Sequence, residues 1–208
     1  MMVWAAAIAV CAMETAEAAL EPPLPPPSTW RVVIAAKYTL PQVTAPIPGS
    51  KEAVFAAAWV TAAKERIVCL MDQNAFDALG LDWKAFSAKT AAAASAELAA
   101  LAKPELIRDR REVLECAILR SRYLPDDITA VVLAPDFLPR FTPLFGSKLL
   151  VAIPDRHTLF LFPKLASRYP NYASRVLAIY RKSECPVSRE VFELSADGLR
   201  AVGTYEEP

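Results

Sequence analysis

The chain has 208 residues, of which 54% are hydrophobic and 22% charged, and its 23 basic side chains balance 23 acidic ones. This length suits one substantial core, and the lack of a basic surplus argues against nucleic acid or an anionic membrane surface as a partner. A single histidine argues against most histidine-based metal sites, and 5 glycines beside 18 prolines exclude a glycine-rich phosphate loop. We therefore expect neither a metal nor a cofactor.

The first twenty residues carry a mixed targeting signal. An apolar run over residues 3–13 precedes Ala-Glu-Ala at 16–18, which resembles a signal-peptide cleavage site. No lysine or arginine precedes Arg31, so the positive part of such a signal is missing, and the run is too short for a transmembrane segment. Residues 1–20 are either a signal peptide of an exported protein, cleaved after residue 18, or an N-terminal helix or misassigned start. We favour the second interpretation, which predicts a cytoplasmic protein.

A proline-rich stretch over residues 21–29 follows, with five prolines between Glu21 and Ser28. Proline fixes φ and removes a backbone donor, so this stretch is predicted to be extended. It is interpreted as a stiff linker rather than as a ligand for an aromatic-lined recognition domain. The folded domain is then expected to cover residues 30–205.

Several changes of periodicity mark the first half of this domain. Residues 31–36 read as a strand, and a proline-bearing loop over 41–49 ends it. Ser50 is a helix-capping residue, so a helix is predicted over 51–65. The apolar run 67–71 suits either a buried strand or the tail of that helix.

Two more helices are predicted before the middle of the chain. Asp72, or Asn74, begins a short helical turn that closes at Gly80, and an alanine-rich helix follows over residues 83–102. The segment 112–119 suits either a continued helix or a strand, and we favour the strand.

The second half carries the strongest strand signal. Residues 149–153 and 158–162 are nearly continuous apolar runs, which are typical of strands covered on both faces. The four residues between them are predicted to form a hairpin link in which Pro154 sets a type I turn. Short helices are predicted before this hairpin, over 128–133 and from Asp136.

The last elements are a helix over residues 170–182 and a hairpin. Residues 191–194 and 199–202 flank Asp197-Gly198, a signal for a type I′ turn. Together these patterns predict one α+β domain with a central mixed or antiparallel sheet covered by helices.

Part of this half resembles a known family. The segments 135–138 (Pro-Asp-Phe-Leu), 145–146 (Phe-Gly) and 150–163 are similar to the C-terminal part of the YtpQ-like family, uncharacterised bacterial proteins defined as a domain of unknown function. The resemblance mainly covers residues 104–204, and its most specific element is the Val-Ala-x-Pro-x-Arg stretch at 151–156. It implies a mixed α/β domain, usually intracellular, with no established activity. The family often carries an acidic or other polar residue after the arginine, where this chain has histidine.

The best candidate site is the turn Asp155, Arg156 and His157. A histidine can act as an acid or base near neutral pH, and an arginine can hold a carboxylate or phosphate with two hydrogen bonds. The structural alternative is ordinary turn chemistry for Asp155 and an ion pair between Arg156 and Asp127 or Asp136. We favour the structural alternative, and these three residues remain the candidate ligand-binding set.

The four cysteines do not change this interpretation. Cys11, Cys69, Cys116 and Cys185 show neither a C-x-x-C pair nor zinc-like spacing. Those within the domain lie in apolar surroundings or beside proline, as small buried hydrophobic residues do. The chain also lacks the G-x-S-x-G motif that would place a catalytic serine, so no residue is assigned as catalytic.

Two function classes remain. The first is a non-catalytic interaction or accessory domain, which engages an unidentified protein partner through a sheet edge or hairpin tip. The alternative is a small-molecule-binding or hydrolase-like enzyme that uses the turn at residues 155–157. A polar pocket beside Asp155 would favour the second class, and a turn bonded only to its local backbone would favour the first.

Overall fold

The computed structural model describes residues 24–39, 42–61, 67–101, 103–121, 127–165 and 168–206. Within these ranges the strands form two antiparallel sheets, and helices pack against them. The predicted α+β class is confirmed, with the strands divided between two sheets instead of one. The N-terminal segment 1–20 lies outside the described residues. No helix within the described part is long and apolar enough to cross a membrane.

The described end of the proline-rich stretch combines extended backbone with one tight turn. Pro26 has φ −63° and ψ 146°, which is the polyproline conformation, and Pro27–Thr29 forms a 3-10 helix. The indole of Trp30 donates a hydrogen bond to the carbonyl of Pro25 at 2.8 Å. This bond holds the stretch against the start of the first strand.

The first sheet is built around one central strand. Its members are β1 (Trp30–Ala36), β2 (Thr44–Pro46), β3 (Ala53–Val60) and β4 (Val68–Leu70). Strand β3 pairs with β1 along one edge and with both β2 and β4 along the other. The three other strands of this sheet therefore each pair with β3.

The helix predicted over 51–65 is wrong over its described part, because β3 occupies Ala53–Val60. Six of its eight residues are buried, since the sheet is covered on both faces. A strand buried on both faces shows a continuous apolar run instead of an alternation of apolar and polar residues. Because alanine has a high helix propensity, this alanine-rich run was predicted to be a helix. The 67–71 run is confirmed as a strand.

Two helices follow the first sheet, as predicted, and both begin at a capping aspartate. Helix α1 (Gln73–Asp77) begins after Asp72, and α2 (Trp83–Ala100) begins after Asp82. Each carboxylate accepts a hydrogen bond of 2.7 Å from a backbone N–H in the first turn. The buried face of α2 packs on β1, and Arg31 of β1 pairs with Glu97 of α2 at 2.7 Å.

The second sheet contains six strands in the order β10-β9-β7-β8-β6-β5. These are β5 (Glu105–Arg108), β6 (Leu114–Arg120), β7 (Leu149–Asp155), β8 (Thr158–Pro163), β9 (Glu190–Ser195) and β10 (Gly198–Thr204). The strand favoured over 112–119 and the central hairpin are confirmed, and β7 and β8 are buried along almost their whole length.

Both predicted turn types are corrected. Pro154 lies inside β7, which continues to Asp155, so the link is the two-residue turn Arg156-His157. A register shift between Ala152 and Asp155 accommodates the proline, as a bulge can. In the last hairpin only Gly198 has positive φ, +104°, whereas a type I′ turn needs positive φ at both central residues.

Helices cover both faces of the second sheet. A 3-10 helix, Thr129–Leu133, and α3 (Phe137–Phe145) lie on the face that meets the first sheet, in a shared core that includes Ile34, Phe137 and Phe192. Helix α4 (Ala173–Lys182) packs on the opposite face. Its Val176 and Leu177 contact a separate core that contains Phe160 and Phe162.

One buried carboxylate joins the two sheets. Glu190, at the start of β9, accepts hydrogen bonds from the Ser50 hydroxyl at 2.5 Å and from the backbone N–H of Lys51 at 2.7 Å. Beside it, the carboxylate of Glu52 accepts hydrogen bonds from both the backbone N–H and the guanidinium of Arg189. These contacts fix the loop that enters β3 against the second sheet.

Candidate functional site

The predicted turn at residues 155–157 is firmly held by hydrogen bonds. The Asp155 carboxylate accepts a bond of 3.0 Å from the backbone N–H of His157. The carbonyl of Arg156 accepts one from the N–H of Ile128 at 2.8 Å, and the carbonyl of His157 accepts one from Ser121 at 3.0 Å. The turn is therefore fixed from within and by both neighbouring segments.

Arg156 faces a buried acid. Its Nε lies 3.7 Å from Oδ2 of Asp127, and the side chain of Asp127 is only 2% exposed. Oδ1 of Asp127 accepts hydrogen bonds from the N–H and hydroxyl of Thr129, at 2.8 and 2.7 Å, while Oδ2 has no hydrogen-bond partner. Burial raises the pKa of Asp127, and Thr129 and Arg156 only partly offset this effect.

The raised pKa of Asp127 predicts how the free energy of unfolding changes with pH. The folded protein holds this proton more tightly than the unfolded chain, so ionisation of Asp127 lowers the free energy of unfolding as the pH rises above about 4. Asp127→Asn keeps the acceptor for Thr129 and removes the charge. We expect urea unfolding between pH 4 and 7 to show the variant gaining stability relative to the wild type as the pH rises. A wild type that gains instead would mean that the Arg156 pair outweighs burial.

A groove of about 440 Å³ opens on the other side of Asp155, between the second sheet and α4. It is lined by Arg120, Asp155, Thr158, Arg175, Ala178, Ile179, Lys182 and Ser183. The sheet contributes one row of neighbours, because Arg120 pairs with Thr158 and Thr158 pairs with Asp155 across the strands. Helix α4 contributes the opposite wall, since residues 175, 178, 179 and 182 share one helical face.

The groove has an excess of positive charge. Among its described lining residues, Arg120, Arg175 and Lys182 are cations, and Asp155 is the one acid. Arg175 lies 3.7 Å from Glu105, in a solvent-exposed pair, and its guanidinium carbon is 5.9 Å from the centre of the Phe160 ring. Among the described residues, Arg120 and Lys182 have no ion-pair partner. The lining can therefore attract a small anion.

The structure separates the three residues predicted as a site. Asp155 lines the groove, whereas Arg156 and His157 are not among its lining residues. Arg156 makes the predicted ion pair with Asp127, and the backbone of His157 bonds to Asp155 and Ser121. Of the three predicted site residues, only Asp155 therefore remains a candidate for ligand binding, and its neighbours in the groove come from β6, β8 and α4.

Sequence reasoning missed most of the groove. Arg120 and Thr158 are 38 positions apart and meet only through strand register, for which one sequence carries no local signal. Arg175 and Lys182 could have been found, because a separation of seven places both on one face of a predicted helix.

The cysteines within the described residues are free thiols. Cys116 is buried, and burial raises its pKa to about 12, which makes it a poor nucleophile at neutral pH. Among the residues that the structure describes, no three histidine, cysteine or acidic side chains gather where they could hold a metal ion. The groove is thus the feature with the clearest chemical character.

Comparison with known proteins gives this chain no relatives. No family model, curated protein or solved structure matches it. The resemblance to the YtpQ-like family stays a prediction, and function has to be argued from the groove itself.

Proposed function

We propose that this protein is a non-catalytic domain that binds a small anionic molecule in the groove between the second sheet and α4, because a polar groove beside Asp155 favours small-molecule binding over engagement of a protein partner. The observation that carries the proposal is the convergence of Arg120, Arg175 and Lys182 on one concavity. Guanidinium and ammonium groups form charge-assisted hydrogen bonds with phosphate and carboxylate oxygens. Such bonds are stronger than neutral ones, and a concave site limits their competition with water.

The lining supports binding more than it supports chemistry. Among the lining residues that the structure describes, the hydroxyl groups belong to Thr158 and Ser183, and none is a histidine or cysteine. A hydroxyl nucleophile needs an adjacent general base within hydrogen-bond reach. Asp155 is the one acid among the described lining residues, and the hydrogen bond that its carboxylate accepts comes from the backbone of His157, not from Thr158 or Ser183. The groove therefore offers cations and donors to a ligand without an activated nucleophile.

The dimensions of the groove agree with a small ligand. Pockets for small molecules are commonly about 300–1,000 Å³ and place a few polar groups on an otherwise apolar lining. Here Ala178 and Ile179 supply apolar surface between the cations of α4. The chain as a whole has 23 basic and 23 acidic side chains, so it lacks the basic surplus that binds a long polyanion. The local excess of positive charge in the groove suits a compact anion instead.

Removing one cation from the groove tests the proposal. We expect Arg120→Ala and Lys182→Ala each to weaken the binding of inorganic phosphate about tenfold, because each removes a charge-assisted bond worth about 1.5 kcal/mol. Isothermal titration calorimetry at low ionic strength measures this loss, and added salt should reduce the affinity of the wild type.

Two surface variants remove the same charge elsewhere. Arg110 and Lys148 are exposed and lie outside the groove, so Arg110→Ala and Lys148→Ala should leave the affinity for phosphate unchanged. An equal loss in all four variants would mean non-specific attraction to a charged surface. The proposal would also be wrong if the wild type did not bind phosphate.

A further inference from the structure

We propose that the ligand of this groove has two charged ends, an anionic group held by the cations and an ammonium group held by Asp155. This inference rests on the proposed function, since it describes the occupant of the same groove. It concerns the one lining residue that a simple anion site would not contain. A carboxylate among three cations opposes the binding of an anion, unless the ligand brings a positive charge to that end.

The two ends of the groove are set by strand register. Arg120, Thr158 and Asp155 occupy one cross-strand row over β6, β8 and β7. Neighbouring strands are about 4.8 Å apart, so the backbones at the two ends of the row are separated by about 10 Å. The row has a positive end and a negative end, with the hydroxyl of Thr158 between them. A ligand of matching polarity can lie along it.

Asp155 is a buried carboxylate whose charge the turn itself does not need. The residue is 7% exposed, and Thr158 beside it is 6% exposed. A carboxylate has about four acceptor positions, and among the described residues one oxygen of Asp155 accepts a bond from the N–H of His157. The turn does not require a charge, because asparagine makes the same side-chain turn as aspartate. The negative charge on the groove floor is therefore available to a ligand.

The wall formed by α4 suits the middle of such a molecule. Ala178 and Ile179 lie between Arg175 and Lys182 on the same helical face. A short hydrocarbon spacer can contact these apolar side chains while its charged ends reach the cations and Asp155. The chemistry that fits is a phosphate ester joined to a primary amine by a few carbon atoms, either a free phosphomonoester or the phosphodiester of a lipid headgroup.

Two nearly isosteric ligands test the inference. O-phosphoethanolamine and propyl phosphate carry the same phosphate and differ in an ammonium group against a methyl group. We expect calorimetry to show that the wild type binds O-phosphoethanolamine about tenfold more tightly than propyl phosphate, as one close charge pair allows. In Asp155→Asn this preference should disappear, and inorganic phosphate should bind more tightly than to the wild type, since an opposing charge is removed.

The outcomes separate the two proposals. If inorganic phosphate and both monoesters fail to bind the wild type, the proposed function itself is wrong. If phosphate binds and Arg120→Ala weakens it, but the wild type does not distinguish the two monoesters, only the two-ended ligand is wrong. The comparison in the wild type holds even if Asp155→Asn is unstable, and thermal unfolding of that variant shows whether its turn is intact.

A sedimentation assay identifies the source of the ligand. Vesicles of phosphatidylcholine with and without phosphatidylethanolamine present the same phosphate, with and without a primary amine. Amine-dependent sedimentation of the wild type, lost in Asp155→Asn, identifies a lipid headgroup. Binding of soluble O-phosphoethanolamine without sedimentation identifies a free molecule. Sedimentation that does not depend on the amine, together with equal binding of both soluble esters, contradicts the role of Asp155.

Discussion

Glu190→Ala is expected to lower the free energy of unfolding by about 3 kcal/mol, because it leaves several polar groups without their acceptor. Glu190 is 3% exposed. Its carboxylate accepts bonds from the Ser50 hydroxyl at 2.5 Å, from the N–H of Lys51 at 2.7 Å and, less closely, from the N–H of Glu52 at 3.3 Å. The loss should appear as a lower urea midpoint with little change in the slope of the transition.

Glu190→Gln is the matched control for this variant. It keeps the shape and one acceptor oxygen, so it should still serve Lys51 and cost less, about 1–2 kcal/mol. The other end of the amide becomes a donor and then meets the N–H of Glu52 or the hydroxyl of Ser50. An alanine variant as stable as the glutamine variant would show that water replaces the carboxylate, and that this contact does not hold the sheets together.

The central hairpin of the second sheet could be predicted, whereas the central strand of the first sheet could not. Residues 149–153 and 158–162 are rich in branched and aromatic side chains, and their continuous apolar character fits strands buried on both faces. Strand β3 is buried in the same way, but four of its eight residues are alanine. Alanine has the highest helix propensity, and a fully buried strand offers no alternation to oppose it.

The reason for alanine in β3 lies in its neighbours. Ala56 and Ala58 pack with Val33 and Ala35 of β1 and with Ala130 of the 3-10 helix beside that strand. Small side chains allow this close approach, and which segments approach is a property of the tertiary structure. Helix α1 was predictable from its capping aspartate and α2 from its many alanines, both of which are local signals.

Of the residues that line the groove, only Asp155 was predicted from the sequence as a site residue. Asp155 was singled out because it stands at a hairpin tip, and it does line the groove. Its neighbours Arg156 and His157 are adjacent in sequence, but Arg156 pairs with Asp127 outside the lining set. The cations that complete the groove come from β6 and α4, elements separated by more than fifty residues. Their meeting depends on register and helix docking, which no local pattern encodes.

Phe160→Ala is expected to have the largest effect on stability, about 3–5 kcal/mol, because it removes a fully buried aromatic side chain and leaves a cavity. Phe160 is 0% exposed, stacks on Phe162 with ring centres 6.3 Å apart and belongs to the core that docks α4. Arg175 also lies over its ring, so the variant should weaken phosphate binding as well. Phe160→Leu should cost about 1–1.5 kcal/mol and keep α4 in place. Urea unfolding and calorimetry on both variants test this link, and a Phe160→Ala protein that binds phosphate normally would show that the groove does not depend on this core.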